Sequence, residues 1–550
     1  MVTGSKSSET DRNPAWVRWF LPSVSDLLFV VFLGLLVFTN LSVRLLGDAG
    51  IGWHIRTGQL ILATHNIPHV DPFSSSMAGH PWFAWEWLYD TVAGWLESAA
   101  GLNGVVLFTA VVIATVFSWT FRLLIRRGTN IVLALVLVLL AASAAMIHFF
   151  ARPHVVSWLF TVMWFWALES PKKEKEKENA SGRQSSFLLW LLPSTMLVWV
   201  NVHGGFLVGF VLLAIYWFSA AWEWGRLSFK LTEGELEEAL RKVGARRRIR
   251  ALTLTGLLSA AITLLNPYGI NLHVHIYRYL SNRFLMSHID EFQSPNFHYV
   301  AEKCFAGLVM LTLVALAGKN RKLSLSQLMG VFFAVYSGLY AARNIPMSAL
   351  LLILIIGPSL SDAMEGLAGR FGGRRARLHP ESVSSPFSAR MKAMELTLQG
   401  HLWPIAAIVF AGWIAAHGGN FGATRLMDAH FDPKRFPAAA VDYIQVHNVH
   451  GPFLSPDAWG GYLIYRLYPR EKVAIDDRHD FYGEKFLTSY LKMIHLEPGW
   501  DDFLNQYQPA CVIVPKDSAL ANILAETAGW QPIYSDDVAR AFVRAGGGPK

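Results

Sequence analysis

Cysteine is nearly absent: Cys304 and Cys511 are the only two in 550 residues, and neither belongs to a CxxC pair. That excludes a disulfide framework and a thiolate-held zinc. Charge is scarce as well. Asp, Glu, Lys and Arg make up 16% of the chain, where a soluble globular chain carries about a quarter. There is no GxxxxGK[ST] phosphate loop, which argues against an ATP-driven pump, and no HExxH or GxSxG motif, which removes the common zinc-protease and serine-hydrolase readings. The apolar runs lack the row of embedded ionisable residues that ion-coupled transport uses. The N-terminus, MVTGSKSSETDRNPAWVRWF, is polar and the first apolar run is long, so an anchor is expected there and not a cleaved leader.

What is present is apolar and aromatic: 53% hydrophobic residues, 21 Trp and 35 Phe. Eleven apolar runs have cores at 27–43, 105–121, 131–149, 155–168, 187–202, 206–222, 252–265, 305–317, 328–342, 347–360 and 402–416. The expected fold is a polytopic α-helical membrane protein of about 11 transmembrane helices. With a cytoplasmic N-terminus, the inner segments carry 28 Lys and Arg and the outer ones 5. Such a bias sets orientation in a membrane. The net charge of +8 is then a topology signal, and no nucleic-acid partner is implied. The expected layout is a cytoplasmic N-terminus (1–25), a transmembrane domain (26–417) with a long first outer loop (46–102), and an extracytoplasmic tail (418–550). KKEKEKEN (172–179) reads as a solvated charge run, 231–250 as an amphipathic surface helix with a basic end, and 369–386 as a linker.

The outer segments hold the chemistry. In the first loop, IGWHIRTGQLILATH suggests a helix along the membrane surface, and Trp82, Trp85 and Trp87 suit the interface. Asp48, at the outer end of span one, is a candidate general base or a plain helix-end Asp. His54, Arg56, Asp71, His80 and Glu86 share its loop, and such a cluster at a membrane boundary is costly unless paired or used. Asp71, before Pro72, is either a fixed second carboxylate or an Asx turn. Trp85-Glu86-Trp87 reads as a sugar clamp or an interfacial anchor. Arg152-Pro153-His154, Asn201-Val202-His203-Gly204-Gly205, Asn266-Pro267-Tyr268-Gly269, Asp290-Glu291 and Ala342-Arg343-Asn344 fall at outer span ends. Arg152 and Arg343 run against the positive-inside bias and are natural phosphate ligands. The tail reads as a small α/β domain, with helices at 437–448 and 518–529, strands at 472–476 and 510–515, and a closing hairpin at 532–544. Its Asp457-Ala458-Trp459-Gly460-Gly461-Tyr462 and Asp476-Asp477-Arg478 stretches read as cleft residues or as turns.

GDAGIGWHIRTGQLILATHNIPHVDPFS and HPWFAWEWL, with the outer Arg-Pro-His, Asn-x-His-Gly and Asn-Pro-Tyr-Gly turns and WGGYLIY…IDDR, resemble the GT-C superfamily of integral-membrane glycosyltransferases, most nearly bacterial members related to the protein O-mannosyltransferases. The resemblance covers most of the chain in layout. It implies inverting transfer of a sugar from a polyprenyl-phosphate donor to a glycan or protein acceptor, on the periplasmic face of a bacterial inner membrane. Asp48 falls where the family keeps its base and Asp71 where a second acid often lies. His54 would orient the acceptor. Arg56, Glu86, Arg152, His154, Asn201, His203, Tyr268, Glu291 and Arg343 are the candidate substrate and phosphate ligands. No cofactor is assigned. A divalent metal stays open, although Asp48-Ala49-Gly50 is not a DxD or ExD pair. An O-antigen polymerase or ligase, which places its main outer loop late in the chain, and a transporter or assembly scaffold are the competing readings.

Overall fold

A computed structural model of the chain describes residues 15–169, 178–229, 236–318, 321–371, 386–398 and 400–545. The readings of residues 1–14, of most of the charge run at 172–179 and of most of the linker at 369–386 lie outside them. Each of the eleven apolar runs falls on a helix. Among the described residues, six helices are long and apolar enough to cross a membrane: Arg18–Phe38, Trp87–Arg126, Ile131–His148, Gly204–Ser228, Val300–Ala317 and Ala342–Met364. A seventh is reached if Arg390–Thr397 and Leu402–Ala416, bent by 65°, form one broken span. The expected eleven is therefore not reached by length and composition. His154–Glu169, Leu189–Val200 and Leu325–Tyr340 are helical but short. Sixteen residues rise only about 24 Å, against a hydrocarbon core of about 30 Å. The basic surface helix and the seventh run are one continuous helix, Leu236–Ile262.

Trp87–Arg126 spans 40 residues, with Ala100 and Gly101 out of helical geometry. Gly101 sits at φ +60°, which a residue with a Cβ rarely adopts. The break lies close to where the first loop was expected to end.

The first-loop helix, Ile51–Thr64, does not lie bare on the membrane surface. Protein covers it on two sides. A Cβ on Gly52 would lie 2.1 Å from the Gly461 carbonyl oxygen, and one on Gly461 would lie 2.3 Å from that of Ala49. Only glycines allow this approach of the first-loop backbone to the tail helix Asp457–Leu467. Trp82 is likewise buried and is no interface anchor.

The tail is α/β. Strands β1 (Phe453–Leu454), β2 (Cys511–Pro515), β3 (Trp530–Ser535) and β4 (Ala539–Arg544) form one sheet in the order β1-β2-β4-β3, parallel only between β1 and β2. Helices Ala438–Val446 and Ala519–Glu526 fall where expected. The expected strand at 472–476 is instead a seam: Val473 bridges Ser74 of the first loop and Phe453 of β1. The Val473 N–H donates to the Phe73 carbonyl and the Ser75 N–H to the Val473 carbonyl, at 3.2 and 2.8 Å. Helix ends, first loop and tail share one buried apolar cluster, so the tail is packed into the helical part of the chain.

Candidate active site

Where these three parts meet lies a cavity of about 950 Å³. Its wall takes residues from the first loop, from the turns at 146–158, 203–208 and 340–347, from the 276–292 region, and from the tail. Seven sequence candidates line it: Asp48, Glu86, Arg152, His154, His203, Glu291 and Arg343.

The centre is an Asp–Arg–Asp cluster. Asp48 lies just ahead of the first-loop helix, its Oδ1 accepting from the Gly50 N–H at 2.8 Å. Arg152 Nη1 donates to Asp48 at 2.9 and 3.0 Å and to Asp477 of the tail at 3.0 Å. Trp53 Nε1–H donates to the other Asp477 oxygen at 2.9 Å. Burial, more than Arg152 offsets, pushes the Asp477 carboxyl up to about 6. For Arg152, burial pulls downward but the two carboxylates win and hold it firmly cationic.

Across the cavity, Arg343 pairs with Glu291 at 3.1 Å and lies over the Phe292 ring. Burial would raise Glu291, but the Arg343 charge outweighs it and holds the carboxyl near 2. His154 Nε2–H donates to the His148 carbonyl at 2.8 Å. The tail wall carries His479, paired with Asp457 at 2.7 Å, and Asp480, paired with His275 at 3.0 Å. Burial opposes the charge on His479, yet Asp457 raises its pKa overall.

Five candidates do not line the cavity. Asp71 is buried and holds the Phe73 and Ser74 N–H groups at 3.2 and 2.8 Å, an Asx turn. It also pairs with Arg478 at 2.8 Å. Arg478 is gripped by Asp476 as well, with the Trp82 ring 4.6 Å away. Arg56 donates to the Tyr465 carbonyl and lies over that ring. Asn201 accepts from Trp87 Nε1–H at 2.8 Å and donates to the Leu197 and Leu265 carbonyls. The Tyr268 hydroxyl accepts from the Ala84 N–H and donates to the Pro68 carbonyl. These four brace the loops. His54 is fully buried behind Trp53, with Nδ1 2.5 Å from Asp90 Oδ1.

Sequence reasoning left His148, Tyr279, Arg435, His479 and Asp480 out of the site, and left Asp477 open between a cleft residue and a turn. The run Asp476-Asp477-Arg478-His479-Asp480 was the available signal: five polar residues directly after an apolar seam. Among the described residues, no three His, Cys, Asp or Glu side chains gather to hold a metal ion. The point between Asp48 and Asp477, where a divalent cation would sit, is taken by Arg152 Nη1. The donor set there does not fit a metal.

No family model matches the chain, and no curated protein matches it by sequence. Among solved structures, the chain is similar to the oligosaccharyltransferase of Archaeoglobus fulgidus, solved with a tethered acceptor peptide containing the NVT sequon. The TM-score is 0.51 at 14% identity, over 95% of this chain and 73% of that one. The fold is GT-C. The arabinofuranosyltransferase AftD from Mycobacteria is a looser match, with a TM-score of 0.43 at 12% identity over 94% of this chain and 41% of that one.

Proposed function

We propose that the chain is a membrane glycosyltransferase that moves a sugar from a polyprenyl-phosphate donor to an acceptor hydroxyl. One observation carries the reading: a cavity between the helix ends, the first loop and the tail holds a part-exposed carboxylate, Asp48, beside one guanidinium, Arg152, with a second, Arg343, across it. The GT-C fold supports it. A lipid-linked donor keeps its phosphate at headgroup depth, and the Lys and Arg bias supports an extracytoplasmic position for these helix ends.

In this reading the donor's phosphate lies against Arg152 and Arg343, whose fixed charges stabilise the negative charge that grows as the sugar–phosphate bond breaks. Asp48 accepts the acceptor hydroxyl's proton as its oxygen attacks the anomeric carbon from the opposite face, so the configuration inverts. The apolar stretch Leu280, Phe284, Leu285 and Ile289 on the wall offers the lipid chain a path. The tail supplies Asp477, His479 and Asp480 to the acceptor side. Sugar transfer in proteoliposomes, from synthetic polyprenyl-phosphate hexoses and pentoses, tests this. Asp48→Asn should lose turnover by at least about 100-fold while keeping its fold. Full turnover in Asp48→Asn would leave the reading without its base.

A further inference from the structure

Between the apolar run that ends at Leu265 and the span Val300–Ala317, the chain forms a 12-residue helix, Ile270–Ser281. It rises only about 18 Å, too short to cross a hydrocarbon core of about 30 Å. Protein holds one side of it. Leu272 and Ile276 are buried. His275 pairs with Asp480 of the tail at 3.0 Å and stacks on Phe83 of the first loop. Ile276, Tyr279 and Leu280 line the cavity. The other side is apolar and open: Ile270, Val274, Tyr277 and Leu280 are 61, 39, 73 and 48% exposed. At 100° per residue these four fall within an arc of about 120°. Asn271 and Arg278, also exposed, follow at one edge of that arc. The chain on either side continues in exposed apolar residues, Leu264 and Leu265 before the helix and Tyr299 and Val300 at the next span. From Ile270 to His288 there is no Asp or Glu, and Arg278 and Arg283 are both exposed.

We propose that helix Ile270–Ser281 lies in the membrane surface, its apolar stripe seated in the bilayer, and that it fixes the depth of the cavity. The role that the sequence suggests for the first-loop helix, which protein covers, falls to this one. A helix of this kind sinks its apolar face about 5–10 Å into the boundary between headgroups and acyl chains, with its cations toward anionic headgroups. The exposed stripe supplies that face, and Arg278 at its edge and Arg283 just beyond supply the cations, with no carboxylate on the helix to repel the lipid phosphates. The bilayer is the occupant that fits, because the stripe lies between two apolar runs whose nearest residues are exposed in the same way. The cavity takes its wall from the opposite side of this helix, so it lies within about one helix diameter, 10–12 Å, of the bilayer. Leu280 belongs to both the stripe and the cavity wall and marks where the two meet. The placement does not depend on the sugar-transfer reading, which needs a cavity at this depth.

The test is the depth of nitroxide labels on the full-length protein in nanodiscs of phosphatidylcholine and phosphatidylglycerol. Cys304→Ser removes the more accessible native thiol, and Cys511 is buried. In that background Ile270→Cys, Val274→Cys and Tyr277→Cys label the stripe, and Asn271→Cys and Arg278→Cys label its edge. All but Val274 are well exposed, and the other four positions carry the test if Val274→Cys does not fold. Oxygen concentrates in the bilayer, whereas a neutral nickel chelate stays in water. The ratio of oxygen to nickel collisions should be several-fold higher at 270, 274 and 277 than at 271 and 278. Equal ratios with ready nickel access at Tyr277→Cys would put the stripe in water and overturn the placement. Labels shielded from both reagents, with an immobilised spectrum, would show a second copy or another protein on the stripe and overturn it as well. Neither result would touch the sugar-transfer assay, and a failure of that assay would leave the label depths unchanged.

Discussion

Arg152 is assigned two tasks, and they can be separated by substitution. All three of its hydrogen bonds, to Asp48 and Asp477, converge on Nη1. The rest of the guanidinium has no bond to a described residue, and a quarter of the side chain is open to the cavity. Lysine offers one nitrogen. In Arg152→Lys the ammonium replaces Nη1 between the carboxylates, but nothing is left to reach the phosphate. A charge-assisted hydrogen bond is worth about 1.5–3 kcal/mol net, or roughly 10- to 150-fold in affinity. Arg152→Lys should therefore weaken farnesyl phosphate binding by about that factor while melting like wild type. Arg152→Gln should lose binding and stability together. It leaves Asp48 and Asp477 facing each other without a cation, and losing one partner of a buried pair costs about 3–5 kcal/mol, discounted here to roughly 2 because these side chains are partly open. Calorimetric titration and thermal unfolding in the same detergent read both quantities. If Arg152→Lys binds like wild type, the free guanidinium face has no ligand and the reasoning fails.

Asp71→Asn should lower thermal stability markedly, by about 3 kcal/mol, because it strips a partner from the caged Arg478. A folded variant should keep its turnover per molecule, unlike Asp48→Asn, and a specific loss of turnover would return Asp71 to the reaction. Asp477 has a folded pKa raised to about 6 by burial. Its stabilising contribution is thus complete below the unfolded value near 3.9 and is lost as pH rises through 6. Melting temperatures from pH 3.5 to 7.5 should show the wild type losing stability relative to Asp477→Asn between about pH 4 and 6, and parallel curves would contradict this. Gly461→Ala should loosen the tail from the first loop, since its Cβ would lie 2.3 Å from the Ala49 carbonyl oxygen. Faster proteolysis within the tail is the readout, and unchanged cleavage would count against the docking.

Composition made the membrane class legible, because long apolar runs are local signals. The site was legible where a charged residue broke a local rule. Arg152 and Arg343 stood on the wrong side of the charge bias, and Asp48 stood at a helix end with other ionisable groups close by. Other parts depended on partners distant in sequence. Arg56 and Asp71 look as reactive as Asp48, and only Tyr465 and Arg478, some 400 residues away, reveal them as braces. Asp477 reads equally as a cleft residue or a turn until the seam through Val473 brings it against Trp53 and Arg152. Some runs are apolar because they are buried in protein, as at Trp164 and Phe165. Hydropathy cannot separate that environment from lipid.

The most direct test of the central claim is a cryo-EM structure in nanodiscs with a bound polyprenyl phosphate. The phosphate density should lie between Arg152 and Arg343, with the lipid chain leaving past Phe284 and Asp48 facing open volume beside it. A phosphate bound elsewhere on the molecule, with this cavity empty, would contradict the account.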